Sequence, residues 1–251
     1  VRGANSNQVL VLQDGIELNT PYFGGYDLSQ LSLSDVERVE VVRGPFSALY
    51  GSQAVGGVVN VISRRPEDEG VSGAVRLQSG TEDYRMGEVA VQAATGRVLI
   101  GASFDRFETS GLEGETGEPA SSSEPFVNDE YRRDTGTGRL AVGLPGNHEI
   151  ALQLRRTRAA LGVPYLGSTA TPDARQEIEE DLWAVPLDLR LGGAGELRLR
   201  VAQVDRSFTF RDPEAFFLSS QDTVTRSRSY RAEYSAPVWR GHTVVAGLER
   251  Q

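Results

Sequence analysis

Three kinds of residue group in this sequence could carry chemistry. Asp14 with Glu17, and Asp212 with Glu214, set two carboxylates close together, as proton donation and acceptance by a matched pair would require. His148 and His242 are the only two imidazoles, so a metal set or a catalytic triad would have to use them. The stretch from Val36 to Pro66, "VERVEVVRGPFSALYGSQAVGGVVNVISRRP", crowds Gly44, Pro45, Gly51, Gly56 and Gly57 between two valine-rich runs, and "GTGRLAVG" at 136–143 holds a glycine pair like that of a dinucleotide fingerprint.

None of these groups has the surroundings its chemistry needs. A phosphate loop places lysine and Ser/Thr after its last glycine, whereas Gly57 is followed by Val58, Val59 and Asn60, and the chain has no lysine. No strand-to-helix crossover follows "GTGRLAVG", so strand glycines explain it. Each carboxylate pair falls at an expected turn or loop, where solvated charge is the ordinary state. Both histidines fall in tight turns with no metal set or triad nearby. With zero cysteines there is no thiolate nucleophile, no thiolate metal site and no disulfide framework. The residues point away from an enzyme and name no cofactor.

The elements that would position a site are therefore the better guide. The chain has 251 residues, 39% hydrophobic, with 26 basic residues against 35 acidic and a formal net charge of −9. That balance argues against nucleic acid as a partner, since no basic cluster exceeds Arg155, Arg156 and Arg158. No apolar run approaches the ~20 residues of a spanning helix, but barrel strands alternate faces and are only half hydrophobic, so a transmembrane barrel stays open. No signal peptide is evident, and the opening "VRGANSNQVLVL" reads as the middle of a domain, as expected of a fragment.

Residues 1–66 read as a small α+β domain. "VLVLQDGIELN" is a hairpin turning at Asp14-Gly15, "NTPYFGGYD" at 19–27 is a loop, and "LSQLSLSDVERVEVV" passes from a helical turn capped by Ser34 or Asp35 into a strand. Residues 67–251 read as long alternating segments at 71–80, 84–94, 97–107, 134–143, 147–158, 180–191, 196–211, 223–236 and 242–250. Short turns alternate with longer polar connections, notably 108–133 and 159–179, which is the one-sided asymmetry of an outer-membrane barrel. Several segments exceed the ~5–6 residues usual in globular sheets and approach the ~9–11 that cross a bilayer at a tilt. The fold class expected is mainly β: a plug-like α+β unit followed by part of an antiparallel transmembrane β-barrel.

The stretch "RVEVVRGPFSALYGSQAVGGVVNVIS" resembles the end of the plug domain of TonB-dependent outer-membrane transporters, in which Glu-Val-x-Arg-Gly-Pro leads to Leu-Tyr-Gly, a small residue, Gly-Gly and Val-Val-Asn-Val-Ile. The order of plug, basic link "SRRP" and alternating strands is the family's order too. "VRGANSNQVLVLQDGIELN" and "DLSQ" look most like the vitamin B12 (cobalamin) receptor branch; ferric siderophore receptors carry related versions. The resemblance implies 1–66 as the C-terminal part of a plug and 67–251 as the first nine strands of a barrel that has about 22 in the family. It implies a bacterial outer-membrane location, lipid around the barrel, and active uptake of a scarce large nutrient, cobalamin or a siderophore, driven by the TonB complex, whose recognition box is absent. A passive porin-like or structural barrel would lack the plug motif, and a soluble all-β enzyme would need a constellation not found.

The resemblance also assigns residues. Tyr22, Phe23, Gly24, Gly25 and Tyr26 are expected to contact the ligand, with local packing the alternative for the three aromatics, and with 19–27 facing outside and Asp14-Gly15 facing the periplasm. Arg2, Arg43, Gly44, Gly56 and Gly57 are expected at plug–barrel contacts, the two arginines meeting barrel glutamates. Arg38, Glu40 and Arg43 are expected on a charged face opposite Val39 and Val41, which pack on the plug core. The acidic loop is expected to be plainly solvated; cobalamin receptors order outer loops with calcium, so Glu113, Glu115 and Asp129 are the candidate ligands under that alternative.

Overall fold

The computed structural model describes residues 5–21, 24–44, 54–65, 69–111, 128–166, 169–215, 219–239 and 241–250. A four-stranded sheet holds β1 (Val9–Gln13), β2 (Ile16–Glu17), β3 (Val36–Arg43) and β4 (Gly57–Ser63), in the order β2-β1-β4-β3. Asp14 and Gly15 turn β1 into β2 with φ of 50° and 76°, the paired positive values that Asp-Gly supplies most readily in a two-residue hairpin. β1 runs parallel to β4 at the middle of the sheet and is buried on both faces, which is why its run "VLVL" is apolar throughout. Leu10 and Leu12 pack with Ala54 and Val58 on one face, while Val11 belongs to the other.

β3 departs from the sequence reading. Its register on β4 puts Arg38, Glu40 and Val42 on one face and Val39, Val41 and Arg43 on the other, so Arg43 does not join the charged face. Val39 and Val41 are 47% and 50% exposed, because β3 is the sheet edge and no described residue covers that face. The helical turn before it is Leu28–Gln30, a 3-10 turn capped by Asp27, whose carboxylate accepts from the Ser29 amide at 2.9 Å. Ser34 and Asp35 are used elsewhere: both bond to the large sheet.

The second sheet has nine antiparallel strands in chain order: β5 (Gly70–Ser79), β6 (Arg85–Thr95), β7 (Val98–Thr109), β8 (Tyr131–Leu144), β9 (His148–Gly162), β12 (Arg175–Arg190), β13 (Glu196–Arg211), β14 (Ser220–Trp239) and β15 (His242–Arg250). The pairs β10 (Tyr165–Leu166) and β11 (Thr169–Ala170) form a small hairpin in the long connection after β9. His148 and His242 are the first residues of β9 and β15 rather than turn residues, and His148 Nδ1 accepts from the Arg190 amide at 3.0 Å.

This sheet is inverted relative to a soluble sandwich. Its outer face near the short turns carries Val75, Val89, Ile100, Leu140, Leu152, Leu154 and Trp183, all exposed. Its inner face buries Asp105, Arg133, Thr135, Gln153, Arg155, Thr157, Glu180 and Arg206. Apolar residues outward and polar residues inward are what lipid on one side and a filled lumen on the other demand. Toward the long connections the outer face becomes a collar of cross-strand ion pairs: Arg106–Asp134 at 2.5 Å, Arg158–Glu179 at 3.2 Å and Arg226–Asp205 at 2.5 Å.

Candidate ligand cavity and plug–wall interface

The small sheet lies against the inner face of the large one. Val11, Ile16, Leu18 and Tyr26 form one buried cluster with Leu182 and Ala184 of β12 and Ala202 and Val204 of β13. Each aliphatic side chain buried there contributes on the order of 1.5–3 kcal/mol. The apolar patch is flanked by polar tethers, so position along the wall is fixed by directional bonds as well as by contact.

The tethers differ along the barrel axis. At the short-turn side, Asp14 accepts from Gln153 Nε2 on β9 at 3.1 Å and from the Ser63 amide at 2.9 Å, and Gly15 lies against the Arg200 guanidinium. Asp14 is thus a structural acceptor, not the solvated charge expected of it; Asp212, expected likewise to be solvated, is buried and accepts from the Glu214 amide at 3.1 Å. Midway, Asp105 on β7 takes hydrogen bonds from Ser32 and, at 3.1 Å, from Ser34, while Arg133 of β8 donates to Asp105 at 3.1 Å and to the carbonyls of Ser29 and Leu31 at 2.7 and 2.9 Å. Asp35 accepts from Thr137 at 3.3 Å, and its burial pushes its pKa up to about 6 against the opposing pull of that bond.

At the long-connection side, loop residues between Thr20 and Gln30 and strands β12 to β14 line an open cavity of about 700 Å³. Asn19 shapes the loop: its amide donates to the carbonyls of Val9 and Gly24 at 2.9 and 3.0 Å and its oxygen accepts from the Val11 amide at 2.8 Å. Gly24 takes φ of 72°, a conformation few other residues adopt cheaply. Thr20, Gly25, Tyr26, Asp27, Leu28 and Gln30 supply the loop's share of the lining, and Ile178, Arg206, Phe208 and Thr223 are among the wall's.

Of the residues expected at a ligand, Gly25 and Tyr26 line this cavity and Gly24 shapes the loop behind it; Tyr22 and Phe23 lie outside the described residues. Tyr26 is not an open aromatic face, because it is 93% buried against the wall with the Arg206 guanidinium 5.1 Å from its ring centroid. Arg43 is exposed and has no ion-pair partner among the described residues, and Arg2 lies outside them. Gly57 approaches a backbone, but that of Val42 in β3: an added Cβ would stand 2.6 Å from its carbonyl oxygen. Gly44 donates to the Gly56 carbonyl at 3.4 Å, again within the small sheet. Glu113 and Glu115 lie outside the described residues, Asp129 does not, and among described residues no three acidic or histidine side chains gather as a metal site.

Sequence reasoning missed Arg155, Glu180, Arg206, Arg133, Asp105 and Asn128. Asn128 is buried and donates to the carbonyls of Thr171 at 2.7 Å and Ala174 at 3.0 Å, closing the base of the long connections. A charged residue at an inward position of an otherwise alternating strand was the available signal for the others.

Residues 1–58 match the TonB-dependent receptor plug domain family. Among solved structures, the chain resembles the siderophore receptor PirA from Acinetobacter baumannii (18% identity, TM-score 0.78, covering 99% of this chain and 41% of that one). It also resembles the alcaligin outer-membrane receptor FauA from Bordetella pertussis (18%, 0.75, 99% and 38%) and the copper transporter OprC (11%, 0.79, 99% and 38%). The matched proteins are receptors and transporters rather than enzymes. The chain spans about two fifths of the length of these solved receptors. Residues 1–58 are thus similar to the TonB-dependent receptor plug domain family, and the antiparallel sheet that follows shares its fold with the corresponding part of these solved receptors.

Proposed function

We propose that this chain is part of a receptor that takes up a metal chelate of the siderophore class across the bacterial outer membrane, driven by TonB. The observation that carries the reading is the shared lining of the cavity at the long-connection side. A ligand held there touches the plug loop Thr20–Gln30 and the barrel wall at once, so binding can alter how the plug sits. The relatives named for siderophores and copper favour a metal chelate over cobalamin, although the opening segments "VRGANSNQVLVLQDGIELN" and "DLSQ" look more like the cobalamin branch. Tyr22, Phe23, Gly24, Gly25 and Tyr26 are the proposed ligand-side loop, and Arg43 the proposed partner of a wall carboxylate contributed from elsewhere in the barrel.

The test is accumulation of radiolabelled iron chelates and of radiolabelled cobalamin by cells expressing the full-length receptor, with and without TonB. Chelate uptake that disappears without TonB is expected. Uptake of cobalamin alone would overturn the substrate class, and uptake indifferent to TonB would overturn the mechanism. Replacing Tyr22 and Phe23 by alanine is expected to weaken chelate binding while the barrel keeps its heat-modifiable migration; unchanged affinity would remove them from the site.

A further inference from the structure

We infer that Arg133 is a positioning residue for the cavity: from a part of the wall outside the lining, it holds the turn that forms part of the cavity's plug side. The inference rests on the uptake reading in taking the cavity as the ligand's place. Leu28 and Gln30 line the cavity and belong to the 3-10 turn Leu28–Gln30. That turn is weak by itself. Its backbone bonds, from the Gln30 amide to the Asp27 carbonyl and from the Leu31 amide to the Leu28 carbonyl, are both 3.1 Å, and 3-10 geometry is poorer than that of an α-helix.

The wall supplies what the turn lacks. Arg133 Nη1 donates to the carbonyls of Ser29 and Leu31 at 2.7 and 2.9 Å, while Nη2 donates to the buried Asp105 carboxylate at 3.1 Å. One guanidinium thus joins two backbone oxygens of the plug to a wall carboxylate. Tyr131, also on β8, adds its hydroxyl to the Ser29 carbonyl at 2.9 Å. Aromatic packing fixes these donors: the Phe107 ring centroid lies 5.7 Å from that of Tyr131, 5.8 Å from Arg133 Cζ and 5.3 Å from that of Tyr84. Clip and cavity also share one row of the wall. Cross-strand pairing runs Arg133, Ala159, Ile178, Phe208, Thr223 from β8 to β14, and the last three line the cavity. The small, buried Ala159 separates the two, so the turn reaches from the clip to the cavity across one strand. A planar fork that meets two carbonyls and a carboxylate at once is a geometry that an ammonium does not reproduce.

Wild-type full-length receptor, Arg133→Lys and Tyr131→Phe would be compared by hydrogen–deuterium exchange and by titration with tris-catecholate and tris-hydroxamate iron(III) chelates, following intrinsic fluorescence. Arg133→Lys keeps a countercharge for Asp105, so thermal denaturation should stay close to wild type. Exchange in peptides covering Gln30 and Leu31 should nevertheless quicken, and the chelate that wild type binds should weaken, each by about tenfold. Tyr131→Phe keeps its ring against Phe107 and should move both in the same direction by a smaller factor. A role limited to balancing Asp105 predicts full rescue by lysine, so wild-type exchange and affinity in Arg133→Lys overturn the inference. Faster exchange with unchanged affinity overturns the link to the cavity. If Arg133→Lys proves unstable, Tyr131→Phe decides by the same two readouts. Failure of wild type to bind either chelate overturns the uptake reading, and the exchange rates then decide alone whether Arg133 holds the turn.

Discussion

Residues 155 and 156 are neighbours, as are 179 and 180, and the sheet turns them into two ion pairs of opposite meaning. Arg155–Glu180 points into the lumen with side chains 3% and 1% exposed; Arg156–Glu179, at 3.4 Å, points outward at 52% and 48%. Inside, neither charge has water, and Arg155 and Arg206 both depend on the one Glu180 carboxylate. Outside, both are solvated and hold each other weakly. The lesson is that the pair's chemistry says little until the face is known, and that the lumen side of this wall is where charge decides how the plug sits.

Breaking the inner pair is the largest expected effect. Glu180→Ala strands Arg155 and Arg206 together, two buried cations with no carboxylate, at a cost of about 3–5 kcal/mol. In the full-length receptor it is expected to loosen Leu18 and Tyr26 from β12 and β13, exposing the plug to protease and lowering the temperature of heat modification. Wild-type protease resistance in a correctly inserted Glu180→Ala barrel would show that the apolar cluster alone holds that side.

Asp35 sharpens the comparison within the lumen, because its charge has only partial compensation. Its carboxyl binds a proton more tightly folded, at about 6, than unfolded, near 3.8. Its most favourable contribution therefore lies below pH 3.8 and is lost as pH rises through about 6. The shift corresponds to about 3 kcal/mol if solvent did not reach the group, and to about 1–2 kcal/mol for a half-buried one. Asp35→Asn is expected to raise receptor stability by that amount at pH 7 and to flatten its pH dependence between 4 and 6, measured by thermal denaturation in detergent. An undiminished slope would assign the dependence to another group.

Much of this architecture was legible in the sequence, and each miss has a physical cause. Strand centres read well because lipid outside and plug inside force alternation, as in "RVLIGASFDRF". Strand ends near the long connections did not: the segments expected at 134–143, 147–158, 180–191 and 223–236 extend to Tyr131, Gly162, Arg175 and Ser220. There the outer face is the ion-pair collar and the inner face polar, so both sides look alike and the period of two disappears. The plug signature was explicit at Gly44 to Ile62, whereas the cavity was not, since Arg206, Phe208 and Tyr26 converge from elements nearly two hundred positions apart. Ser34 was read as a cap because its type suits one; a wall carboxylate, Asp105, claims it instead.

The smallest effect belongs to the outer pair, and it is the sharpest check on the comparison. Arg156 touches Glu179 at 3.4 Å and Asp181 at 3.5 Å, and Glu179 is also met by Arg158 at 3.2 Å. Losing Arg156 leaves Glu179 with a second guanidinium and both carboxylates open to water, so no charge is stranded. Arg156→Ala is therefore expected to change stability by less than about 0.5 kcal/mol, with the difference shrinking further as salt is raised. That small effect follows where the collar stands above the apolar belt, beside Leu154 and Trp183, which pair on the same outer face. If the collar were instead sunk in hydrocarbon, Arg156→Ala would cost as much as breaking the inner pair and salt would not matter. Thermal denaturation of Arg156→Ala beside Glu180→Ala, each at low and high salt, separates the two cases: a large, salt-independent loss at Arg156 would move the membrane boundary toward the long connections.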